Sequence, residues 1–109
     1  MFTTGHFSMR LQDRLILQAL RAKIPGRKDA VNNSRMCLVY ICIKVLPSIE
    51  VVRINAKRMA RELDMPLRTC TGALQRLVDA GLITLDRFQY GDDRRYILRI
   101  DPGSQNQTR

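Results

Sequence analysis

Five residues within one short stretch, Arg68, Thr69, Thr71, Gln75 and Arg76, carry the side-chain types that hydrogen-bond to nucleic acid. If that stretch is an α-helix, its periodicity places Cys70, Leu74, Leu77 and Val78 on one side. Leu67, Arg68, Thr71, Gly72, Gln75 and Arg76 then lie on the other. Such a face can read base edges. An arginine fork matches guanine O6 and N7, a glutamine amide matches adenine, and threonine meets a thymine methyl or a phosphate. Thr69 falls near the helix start, where unpaired backbone N–H groups favour an anion. A solvated helix face with no partner has the same composition. The position of this face, directly before an arginine-bearing hairpin, argues for contact with a polyanion. Gly72 inside the helix costs about 1 kcal/mol relative to alanine, which a close backbone approach can offset.

The elements that must hold these residues are well punctuated. Asn55 is a good N-cap and Ala56, Met59, Ala60 and Leu63 form an apolar stripe behind it. Lys57, Arg58 and Arg61 point the other way, and Lys57 and Arg58 join the candidate contacts to DNA. Pro66 removes a backbone donor and disfavours a helical residue before it, so Asp64-Met65 must turn. The next helix runs from about Leu67 to Ala80 and stops at Gly81. Leu82–Leu85 and Tyr96–Ile100 read as strands joined through the turn-forming run Tyr90-Gly91-Asp92-Asp93. Arg87, Arg94 and Arg95 flank that turn and can grip phosphates or enter a minor groove.

Upstream, Ser8 can cap a helix over about Met9 to Lys23 whose apolar face includes Leu11, Leu15, Ile16 and Leu20. Pro25-Gly26 breaks it, and 27–33 reads as a polar connector, with Asn33 or Ser34 capping a helix to Leu46. That helix is apolar on so many sides that more than one must be covered. Pro47-Ser48 closes it, and 50–54 reads as a strand that pairs beside the hairpin. The expected organisation is a flexible start at 1–7, a helix and connector at 8–33, a DNA-binding unit at 34–101 and a disordered tail at 102–109.

Size and charge narrow the function. A chain of 109 residues supports one hydrophobic core. Nineteen Lys and Arg against ten Asp and Glu leave +9, more than solubility requires, and nucleic acid is the commonest polyanion in a cell. The surplus is uneven. Residues 82–101 hold four arginines and four aspartates, whereas 1–48 hold eight basic residues against two acidic ones. Arg27, Lys28 and Arg35 are therefore expected to hold flanking phosphates. The longest apolar run, Met36 to Leu46, is too short to span a bilayer, and no secretory signal is seen at the N-terminus.

The order helix, strand, helix, helix, hairpin resembles the winged helix-turn-helix superfamily. The stretch Ala73-Leu74-Gln75-Arg76-Leu77-Val78-Asp79-Ala80-Gly81-Leu82-Ile83 is similar to the end of a recognition helix entering the wing. In the MarR-like and GntR-like groups this passage is followed by an arginine and a wing with an Asp-Arg pair, which here would be Arg87 and Asp93-Arg94. The likeness covers about Ser34 to Ile100. It implies an α+β fold, mostly α: a winged helix-turn-helix with an additional N-terminal helix and a small antiparallel hairpin.

The function expected is that of a cytoplasmic, sequence-specific double-stranded DNA-binding transcriptional regulator. One small domain reads a half-site weakly, so a homodimer through the N-terminal helix is expected. The alternatives are a replication or partition protein of a plasmid or phage, and a winged-helix protein-interaction module in a larger assembly. No enzyme is expected, because no phosphate loop, acid–histidine pair or activated nucleophile is present and His6 stands alone. No cofactor or metal is expected, and Cys37, Cys42 and Cys70 read as buried thiols.

Overall fold

The computed structural model describes residues 10–45, 51–90 and 93–100. Expectations for the start at 1–7, the Ser8 cap, Pro47-Ser48, the Gly91-Asp92 turn and the tail at 102–109 lie outside the described residues. The chain forms α1 (Leu11–Arg21), α2 (Lys28–Lys44), β1 (Val51–Asn55), α3 (Ala56–Glu62), α4 (Leu67–Asp79), β2 (Ile83–Tyr90) and β3 (Asp93–Leu98). It is an α+β structure, mostly helical, with one antiparallel sheet in the order β1-β3-β2. Among the described residues no helix is long and apolar enough to cross a membrane.

Helix α2 begins at Lys28, six residues before the expected start. The stretch 28–33 holds no proline or glycine once Gly26 has turned the chain, and Asp29 in the first turn suits the positive end of the helix dipole. The Val31 amide donates to the Arg27 carbonyl at 2.8 Å and opens the helical ladder. Ser34 is therefore not a cap. It lies fully buried in mid-helix, and the expected division at 33/34 falls inside α2.

Helix α1 runs antiparallel to α2. Gln12 near its start donates to the carbonyls of Cys42 and Ile43, and Arg35 of α2 reaches its far end. Leu15 and Ala19 are buried, and Leu11 and Ile16 pack against the same core. The N-terminal helix, expected to supply a homodimer interface, thus sets three of the four side chains of its expected apolar face against the chain's own core; of the four only Leu20, 52% exposed, stands clear.

Both α3 and α4 end in the same way. At the end of α3 the Asp64 amide donates to Arg61 and the Met65 amide to Ala60. At the end of α4 Gly81 donates to Val78 and Leu82 to Leu77. These paired bonds satisfy carbonyls that a helix end leaves open, and they need a left-handed residue. Gly81 has φ +78 and Asp64 has φ +55. One core joins the layers: Cys37, Leu38 and Ile41 of α2, Met59 of α3, Leu74 and Leu77 of α4, and Ile54, Ile83, Tyr96 and Leu98 of the sheet.

Candidate nucleic-acid interface

Helix α4 is held by Cys70, Ala73, Leu74 and Leu77, all buried, which fixes its rotation about its own axis. Arg68, Thr71, Gly72 and Gln75 are consequently exposed on the far side, as the periodicity requires. The Thr71 hydroxyl donates to the Arg68 carbonyl at 3.1 Å, so its proton is engaged on the helix's own backbone. Gln75 donates to the Asp79 carboxylate at 2.9 Å, an i, i+4 contact that holds its amide along the helix. Arg68 makes no ion pair among the described residues. A Cβ built on Gly72 would meet nothing within 4 Å, so the protein's own packing does not require glycine there.

Two expected contacts sit deeper. Thr69 is half-buried beside Asp29, Ala30 and Asn33 of α2, in a cleft of about 220 Å³ that Arg68 and Gly72 also line. Arg76 is half-buried and lies over the turn between α1 and α2, with Nη1 3.4 Å from the Pro25 carbonyl. Its guanidinium fills the space that a side chain at Gly26 would take: a Cβ there would come within 2.6 Å of Nη1. Gly26 also has φ +132, a conformation that only glycine adopts readily. The arginine and the glycine thus fit together. The sequence did not signal this, because the two residues are fifty positions apart.

The α2 start borders this face. Arg27 and Lys28 are exposed beside the turn that Arg76 covers. Arg35, expected to hold phosphate, does something else. Its Nη1 donates to the carbonyls of Ala19 (2.8 Å), Leu20 (3.1 Å) and Ala22 (2.8 Å). A cation at a helix C-terminus satisfies open carbonyls and the negative end of the dipole, so this side chain is committed to the fold.

The hairpin divides its arginines. Side chains alternate along a strand, so Arg94 and Arg95 point to opposite faces of β3. Arg94 pairs across to Ile54, on the face turned to the helices, and is exposed. Arg95 pairs across to Arg53 on the outer face and forms an ion pair with Asp86 at 3.5 Å. The strands shift register between Leu85 and Gln89, which places a bulge near the hairpin end. The side chain of Arg87 lies outside the described residues.

At the start of α3 the Asn55 side chain accepts the Arg58 amide at 3.0 Å and donates to Asp93 at 3.0 Å, tying helix to hairpin. Lys57 and Arg58 are exposed. Arg58 lines a polar hollow with Lys44, Arg53 and Asp93. Lys44 and Arg53 come from two other elements, which is why no local pattern marked them. Lys44 also sits 5.3 Å above the Tyr40 ring, and the Tyr40 hydroxyl donates to Glu62 at 2.5 Å. Burial first, and that acceptor second, push the Tyr40 phenol up to about 12.

The cysteines are all buried. Burial raises each thiol, Cys42 to about 12, and Cys37 is raised further by the charge of a neighbouring Cys70 thiolate and then by the hydrogen bond between them. None is a reactive thiolate near neutral pH. Among the described residues no group of His, Cys, Asp or Glu is gathered to hold a metal ion.

No family model matches the chain, and no curated protein or solved structure does.

Proposed function

We propose that the chain is a sequence-specific double-stranded DNA-binding protein, a cytoplasmic transcriptional regulator that works without catalysis. In this reading α3 and α4 are a helix-turn-helix, α4 is the recognition helix, and β2 and β3 are the wing. The reading rests on one observation: Arg68, Thr71, Gly72 and Gln75 of α4 are exposed while its apolar face is locked into the core. A helix about 10–12 Å across with its side chains fits a major groove about 12 Å wide.

Roles follow from position. Arg68 would reach guanine, Gln75 would release Asp79 and pair with adenine, and Thr71 would offer its methyl group to thymine. Arg27 and Lys28 would hold the backbone on one flank, and Lys57 and Arg58 on another. Arg94 would be the wing's contact, because Arg95 is already paired with Asp86. Arg76 would act by fixing the turn that carries Arg27 and Lys28, not by reading a base. Two copies would bind two half-sites, since a single module of this size reads too few bases.

The test is selection from random duplexes followed by titration over salt. A shared motif is expected among the selected duplexes, together with an affinity that falls steeply as salt rises, because neutralised phosphates release counterions. Equal binding to unrelated duplexes would remove the regulator reading and favour a module that binds a protein or coats nucleic acid.

A further inference from the structure

Helix α4 and the start of α2 meet along a cleft that the fold leaves open. Its volume is about 220 Å³, with Asp29 and Asn33 lining it from α2 and Arg68 and Thr69 from α4. Gly72 and Arg76 line it as well. Asp29 and Arg68 are both exposed, and no ion pair joins them among the described residues. A carboxylate and a guanidinium thus border one space without closing on each other. Asp29 is held in place, since its carboxylate accepts the Ala30 amide at 2.9 Å, and a carboxylate has about four acceptor sites to offer. Arg76 is pinned too, with its guanidinium against Gly26 and the Pro25 carbonyl. The adjoining hollow, which shares Gly72 and Arg76, has its carboxylate already taken, because Asp79 accepts from Gln75.

We infer that this cleft takes an unpaired guanine base. A ligand between Asp29 and Arg68 must offer adjacent donors to a carboxylate and adjacent acceptors to an arginine fork. Guanine does so, with N1–H and N2–H on one edge and O6 and N7 on another. Adenine and cytosine mix donor and acceptor along the edge they present, and thymine has a single donor. A flat ring can lie close to Gly72, where an added Cβ would meet nothing of the protein within 4 Å. Bases also stack on guanidinium planes such as that of Arg76. Size agrees. Drug-sized sites run to about 300–1,000 Å³, so this smaller cleft suits one ring system with its sugar and phosphate outside. In a duplex the N1–H and N2–H edge is occupied by cytosine, so the base must be unpaired, in a free nucleotide or in a single strand. On the DNA-binding proposal Arg68 cannot serve this base and a groove at once, so a guanine nucleotide competes with the selected duplex.

Calorimetric titration of the full chain with guanosine and adenosine monophosphates tests the cleft. The guanine nucleotide should bind about tenfold tighter or more, and inosine monophosphate, which lacks the N2 amino group, should fall between the two. Asp29→Asn should weaken guanosine monophosphate about tenfold. Charge alone predicts the opposite, since removing an acid from a chain of net charge +9 favours an anionic nucleotide. Asp13→Asn, the same change on α1, should therefore weaken nothing, and circular dichroism checks that both variants are folded. A thymidine octamer carrying one guanine separates the two sources. Salt-sensitive binding tighter than that of the all-thymidine octamer and of the mononucleotide assigns the cleft to a single strand; no gain over the mononucleotide assigns it to the free nucleotide. Equal binding of the guanine and adenine nucleotides, indifference to Asp29→Asn, or no binding of either guanine probe at millimolar concentration would each overturn the inference. Guanosine monophosphate bound by a chain that selects no duplex keeps the cleft and removes the regulator; a selected duplex with neither guanine probe bound does the reverse.

Discussion

The outward face of α4 and the β2–β3 hairpin both carry arginines, but they leave them in different states. On α4, Arg68 is exposed and makes no ion pair among the described residues. On the hairpin, Arg95 is drawn to Asp86 and Arg94 is turned to the other face. Formal charge therefore misjudges both regions. An arginine contributes less to binding the more it must give up, and an ion pair on the protein is one such loss. In the proposed function the helix would be the reading surface and the hairpin a guide.

The largest expected effect tests the helix directly. Arg68→Ala should remove discrimination at one or two base pairs, about 1–3 kcal/mol each, measured by competition between the selected duplex and its single-base variants. A uniform loss over all variants would make Arg68 a backbone contact and weaken the contrast with the hairpin. Next comes Gly72→Ala. Nothing in the protein occupies the space of its methyl group, so stability should rise by about 1 kcal/mol in urea titrations. Duplex affinity should fall at the same time, because the methyl group would stand between the helix backbone and the groove. Unchanged affinity would mean that this face does not lie close to DNA.

A smaller effect is expected from Arg27→Ala. It should weaken all duplexes alike and reduce the salt slope by about 1, since one phosphate contact is lost. The smallest belongs to Arg95→Ala, within about 0.5 kcal/mol in both stability and binding, because a single ion pair at the surface contributes little. If instead Arg95→Ala costs as much as Arg68→Ala, the two regions are equals and the hairpin reads DNA as well.

The sequence marked the α3–α4 unit well because each boundary there is chemical. Asn55 caps, Pro66 breaks and Gly81 turns left-handed, and each acts within its own few residues. The start of α2 was hidden for the opposite reason. The residues 28–33 have no strong local preference, and Asp29, Ala30 and Asn33 line a cleft shared with Arg68 and Thr69 of the distant α4. Arginine pairing was also illegible. Arg35, Arg76 and Arg95 look alike in sequence, yet their partners lie between nine and fifty-one positions away. Which face of α4 is outward was legible, because 3.6-residue periodicity needs no distant neighbour.

Asp64 turns the corner between α3 and α4 with a side chain where glycine usually stands. The left-handed well of an L-residue is narrow, whereas glycine can wander through much of the map. The elbow is accordingly stiff, and the two helices travel together as one lever. Whatever α4 meets must accept the angle at which it is offered.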